Sequence, residues 1–149
     1  MSSLGSMCGQ LAVLVSGASF GAMLTGALVV VPAWRAMPAA EFLAWFGANA
    51  GRMQVYFGAL QSGTIVLSLA TALVLGRRSS WIAAAFAVAV LATFPVYFRA
   101  ANASFVSQSI ALDRVPAELA RWLIWQWVRT SFGLVAFALL LHALLRARE

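Results

Sequence analysis

The chain has 149 residues, 63% of them hydrophobic and 9% charged, with a formal net charge of +6. Soluble domains average about 25% charged residues, so this composition excludes an ordinary soluble globule and indicates a membrane protein. A single cysteine, Cys8, excludes an intrachain disulfide and a cysteine-based metal cluster, and the scattered basic residues, all arginine, suit anionic lipid headgroups rather than nucleic acid.

Four apolar stretches, at about residues 11–31, 54–75, 81–98 and 127–145, are each long enough to cross a hydrocarbon core of ~30 Å at 1.5 Å per residue. The first is read as a retained helix: no positive residue precedes it, and Val29-Val30-Val31-Pro32 is a poor cleavage site. It carries Gly17-x-x-x-Gly21, overlapped by Ala18, Ala22 and Gly26, a spacing that lets helices approach closely within a bundle. Pro38 and Glu41 then open a short helix at about 38–50, whose Phe42, Leu43, Trp45 and Phe46 suit the membrane interface. Gln54 and Gln61 on the second stretch are expected to hydrogen-bond between helices.

A tight turn at Gly76–Ser80 leads into the third stretch, which ends in Tyr97-Phe98-Arg99. Asn102 follows, placed either to cap that helix or to orient a ligand oxygen. Pro116 and Glu118 open a second interfacial helix at about 116–126, and the fourth stretch completes the chain. The expected fold is all-α: an integral membrane four-helix bundle made of two parallel-repeat hairpins, with long connections and short interfacial helices at one end. Arg77, Arg78, Arg146 and Arg148 gather at the opposite end, which favours cytoplasmic termini; the arginine and alanine bias suggests a bacterial cytoplasmic membrane.

One pattern occurs twice. Trp45, Asn49 and Arg52, and again Trp122, Gln126 and Arg129, place an aromatic ring, an amide and a guanidinium at i, i+4 and i+7, within ~60° of one helix face. Arg129 lies about 25 Å along its helix from Arg146, less than the hydrocarbon thickness, so it must pair, snorkel or face a polar cavity. The apolar stretches contain no acidic residue, which argues against a proton pump or cation pathway. His142 is the single histidine, at the far end of the fourth helix. No cofactor is expected; haem through His142, or flavin, stays open.

The chain resembles the anthrone-oxygenase-like family of small four-helix membrane proteins. The resemblance rests on Gly17-Ala18-Ser19-Phe20-Gly21 through Pro32, Met37-Pro38 with Glu41-Phe42, Asn102 after the third helix, and Trp122 through Trp125-Gln126-Trp127-Val128-Arg129-Thr130. Where that family carries Asn-x-Pro-x-Asn and Trp-Asn-x-x-Arg, this chain has Asn102, Ser104 and Val106, and Trp125, Gln126 and Arg129. Characterised relatives oxidise polycyclic aromatic polyketides with molecular oxygen. The resemblance implies an oxidoreductase acting on hydrophobic aromatic or phenolic compounds at the membrane interface, with Asn102, Gln126 and Arg129 in the site. Arg52 would join Arg129 in stabilising an oxyanion, with Trp45, Asn49, Tyr97, Trp122 and Trp125 in substrate binding. The alternative is a non-catalytic accessory subunit of a larger membrane complex contacting lipid or pigment. Expected partners are membrane lipids and a hydrophobic small molecule; homo-oligomerisation stays open.

Overall fold

A computed structural model describes residues 3–147, so Arg148 lies outside the described residues. Four helices account for nearly all of it: α1 (Gly5–Ala36), α2 (Ala39–Leu75), α3 (Arg78–Val106) and α4 (Leu112–Arg146), each long and apolar enough to cross a membrane. The expected all-α four-helix bundle is present.

The long connections are not. Only Met37 and Pro38 separate α1 from α2, and the expected interfacial helices at 38–50 and 116–126 are the first turns of α2 and α4 themselves. Local chemistry explains this. The residue before a proline is driven out of the helical region, and Met37 is accordingly extended at φ −79° and ψ 149°. Once α2 restarts, no proline interrupts it, and it stops only at Gly76, whose φ of 62° forms a left-handed C-terminal cap. Its 37 residues extend about 55 Å, well beyond a bilayer core, so one end of the bundle projects past the hydrocarbon.

Two interruptions mark the first helix of each hairpin. Residues Gly26–Val30 in α1 and Phe94–Phe98 in α3 form single π-helical turns, the first followed closely by Pro32 and the second containing Pro95. In each the closing N–H reaches the carbonyl five residues back, from Val31 to Gly26 and from Arg99 to Phe94. Such turns frequently occur at functional sites.

The helices form a ring in which α1 packs on α2 and α4, and α3 packs on the same two. At the two-residue turn between α2 and α3 the core is small-residue, built on Ala12, Ala83 and Leu140, and Arg77 Nη2 donates to the Arg146 carbonyl at 2.7 Å, holding the ends of the two hairpins level. At the projecting end the core is aromatic: Trp34, Phe42, Phe46, Phe98, Phe105 and Trp122 are all buried and meet mostly edge-on, the geometry that aligns ring edges with π-faces. The close α1–α4 approach depends on glycine. A Cβ on Gly17 would lie 3.1 Å from the Phe137 ring, and one on Gly133 would run into Met23, whereas Gly21 faces open space. Of the Gly17/Gly21 pair, only Gly17 therefore packs against a neighbour. Replacing Gly133 by leucine should lower unfolding stability in detergent by about 1–3 kcal/mol through overpacking, while Gly51→Leu, on the open stretch of α2, should cost nothing; thermal unfolding of the purified variants measures both.

Candidate functional site

Between Phe46 and Thr64 no residue of α2 is buried. Over these turns the helix stands away from the bundle and leaves a cavity of about 980 Å³, with walls from all four helices and Arg129 and Trp122 as the contribution of α4. Ser19 Oγ donates to Gln61 Oε1 at 2.9 Å, joining α1 to α2, as expected for an interhelical glutamine.

A polar chain supports Arg129. Gln126 is fully buried; its Nε2 donates to the Met23 carbonyl on α1 at 2.6 Å, and its Oε1 accepts from Arg129 Nε at 2.7 Å. The two demands fix the amide orientation, since a carbonyl requires the NH₂ side and a guanidinium the oxygen. Gly26 makes room for it: a Cβ there would lie 2.8 Å from Gln126 Nε2. The guanidinium carbon sits 4.2 Å from the Phe98 ring centroid, 5.3 Å from that of Trp122 and 5.6 Å from that of Phe57. Each such contact is worth roughly 0.5–2 kcal/mol, whereas withdrawing a charge from water costs several. No carboxylate compensates the difference. Among the described residues the one ion pair is Arg121–Glu118, and the terminal nitrogens of Arg129 donate to no protein group.

Asn102 does not cap a helix, because α3 continues through it to Val106. Its Oδ1 accepts from Trp122 Nε1 at 3.0 Å, which fixes the indole against the cavity. Arg129, Asn102, Trp122 and Trp45 thus share the cavity, and Gln126 acts from behind Arg129. The other expected site residues lie elsewhere. Arg52 is exposed and outside the cavity wall, and Asn49 Nδ2 donates to the Trp45 carbonyl of its own helix at 2.8 Å. Tyr97 donates to Glu118 Oε1 at 2.7 Å and stacks on Trp125 with centroids 5.3 Å apart, both away from the wall. The repeated pattern is therefore unequal in space: α4 turns its copy inward, while α2 carries its copy along the stretch that stands off. His142 is exposed and lies toward the turn end, far along α4 from Arg129.

Phe57 and Met23 carry no mark in the sequence, and Phe98 and Gly26, noted there for helix end and close packing, had no link to Arg129. No spacing rule connects them to Arg129, since they come from the other three helices, Met23 and Gly26 from α1, Phe57 from α2 and Phe98 from α3; the prolines at the two π turns are the one local signal near them.

Fold and site together define a four-helix integral membrane protein with an arginine-bearing cavity inside its bundle. No protein-family model, curated protein or solved structure matches the chain.

Gln126→Leu leaves a buried carbonyl and a buried guanidinium N–H unmade, and should cost about 2–4 kcal/mol. Arg129→Met also removes an uncompensated charge, so it should cost less than half as much. Chemical denaturation of both variants in matched detergent checks the order.

Proposed function

We propose that this protein is an oxidoreductase of the anthrone-oxygenase type, which takes a hydrophobic aromatic or phenolic compound from the bilayer and holds its oxygen on Arg129. One observation carries the reading: a guanidinium with unpartnered terminal nitrogens faces a largely apolar, ring-lined cavity. Such a group attracts negative charge developing on a substrate oxygen, and a low-dielectric setting makes that attraction strong. The resemblance around Trp125-Gln126-Trp127-Val128-Arg129 supports the same chemistry.

The reaction balances without a resident cofactor. A ring-flanked methylene beside a conjugated carbonyl loses a proton to give an enolate, whose oxygen Arg129 stabilises. The enolate gives its electrons to molecular oxygen; one oxygen atom enters the new carbonyl, and the other leaves as water with the two methylene hydrogens. Asn102, held by Trp122, orients a second substrate oxygen, and the Trp122 and Trp45 rings offer stacking faces. Arg52 takes no part in this scheme, because it is exposed outside the cavity. We place the protein in a bacterial cytoplasmic membrane with Arg77, Arg78 and Arg146 on the cytoplasmic side, as the positive-inside bias favours.

One observation favours a second reading. Among the described residues the cavity wall contains no histidine, aspartate, glutamate, cysteine or lysine, so none of those side chains is an evident base for the methylene proton. A non-catalytic accessory subunit that shelters a lipid or pigment needs none.

Oxygen uptake separates the two. Purified protein given a hydroxyanthrone should consume oxygen above the rate of spontaneous oxidation, and Arg129→Met should bring the rate at least about tenfold closer to that background. Binding without uptake favours the accessory reading; the absence of both overturns the cavity as a ligand site.

A further inference from the structure

A guanidinium carries five N–H donors in a rigid plane. In Arg129 the Nε donor is taken by Gln126, the guanidinium carbon lies 4.2 Å from the Phe98 ring centroid, 5.3 Å from Trp122 and 5.6 Å from Phe57, and the N–H bonds all lie in the guanidinium plane. A ligand oxygen must therefore arrive in plane, at the terminal edge, where the two end nitrogens each present one N–H in parallel. That edge is a fork with two prongs. A single oxygen shared between the prongs meets both at bent, weaker angles, whereas two oxygens on one edge of a ligand meet each prong straight. Among the described residues the only other cation on the wall is Arg99, which is exposed, and none there is a carboxylate, so the ligand end that suits Arg129 carries one negative charge.

We propose that the cavity selects hydrophobic ligands bearing two oxygens on one edge that share a single negative charge, and that Gln126, seated by Gly26, imposes this choice. The proposal rests on the reading of Arg129 as the ligand-binding group. A carboxylate attached to an apolar body has this chemistry, and so does a deprotonated hydroxy ketone whose charge is spread over both oxygens. Gly26 and Gln126 are positioning residues. By holding the Nε donor occupied they fix which edge of the guanidinium faces the ligand, and a side chain at position 26 would press on the amide that does so.

The test is a binding titration in phosphatidylcholine nanodiscs at alkaline pH, read by tryptophan fluorescence, with three ring compounds of similar size. Two carry paired oxygens, 2-naphthoate as the carboxylate and hinokitiol as the hydroxy ketone; 2-naphthol carries one. At least one paired-oxygen anion should bind about tenfold or more tightly than 2-naphthol, and the one preferred identifies the source of the chemistry. Gly26→Ala should keep binding but narrow the preference. Arg129→Lys keeps the charge without the fork, and should erase the preference even if the alanine variant does not fold. Equal affinity for all three compounds in the unmodified protein overturns the selection rule and leaves Arg129 as a ligand group. Failure of all three to bind overturns that reading as well.

Discussion

The Gln126 amide is the contact on which the cavity of this protein depends. It joins α1 to α4 through the Met23 carbonyl and, with its other atom, sets the plane of Arg129. A buried amide of this kind is stabilising only when both ends are satisfied, because either end left unmade inside a bundle costs about as much as several well-made bonds contribute. Around it the chain adopts features that packing alone would not favour: a glycine where alanine would be the better helix former, and a π turn beginning at that same glycine.

The bundle divides its tasks along its length. At the turn end, alanine and glycine let the helices approach closely, and the Arg77–Arg146 contact holds them level. At the projecting end, buried aromatic rings from all four helices form a rigid cap. The cavity lies between these two well-packed regions, where α2 is anchored above by Phe42, Leu43 and Phe46 and below by Thr64, Ser68 and Thr71, with nothing buried in between. A helix fixed at both ends and standing free in the middle keeps a space open without weakening the whole fold. An outward residue there, Val55, faces the surroundings, where lipid suits it.

Arg129 gains meaning from that arrangement. Aromatic faces, an amide oxygen and an apolar wall tolerate its charge without cancelling it. The same residue facing lipid would snorkel to the headgroups, and facing a carboxylate it would be a structural pair. Held as it is, it leaves a charge turned toward the cavity, which is why the proposed function assigns it an anionic oxygen.

Much of this was legible in the sequence, and the rest was not, for a definite reason. Apolar length set the four spans and the membrane class, because hydrocarbon thickness fixes how many helical residues a crossing needs. The distance from Arg129 to Arg146 along one helix, shorter than a hydrocarbon core, singled Arg129 out in the sequence, since rise per residue is a local property. Helix continuity was misjudged where prolines and tryptophans suggested separate interfacial segments, because a proline in a first turn starts a helix as readily as it ends one. Between the two Trp-amide-Arg copies, the local pattern is symmetrical and cannot choose. The choice came from partners far away in sequence: Met23, 103 residues from Gln126, accepts its amide, and no equivalent carbonyl meets Asn49, which turns back to its own helix. Burial and hydrogen bonding of a helix face depend on which helix lies opposite, and only the packed bundle determines that.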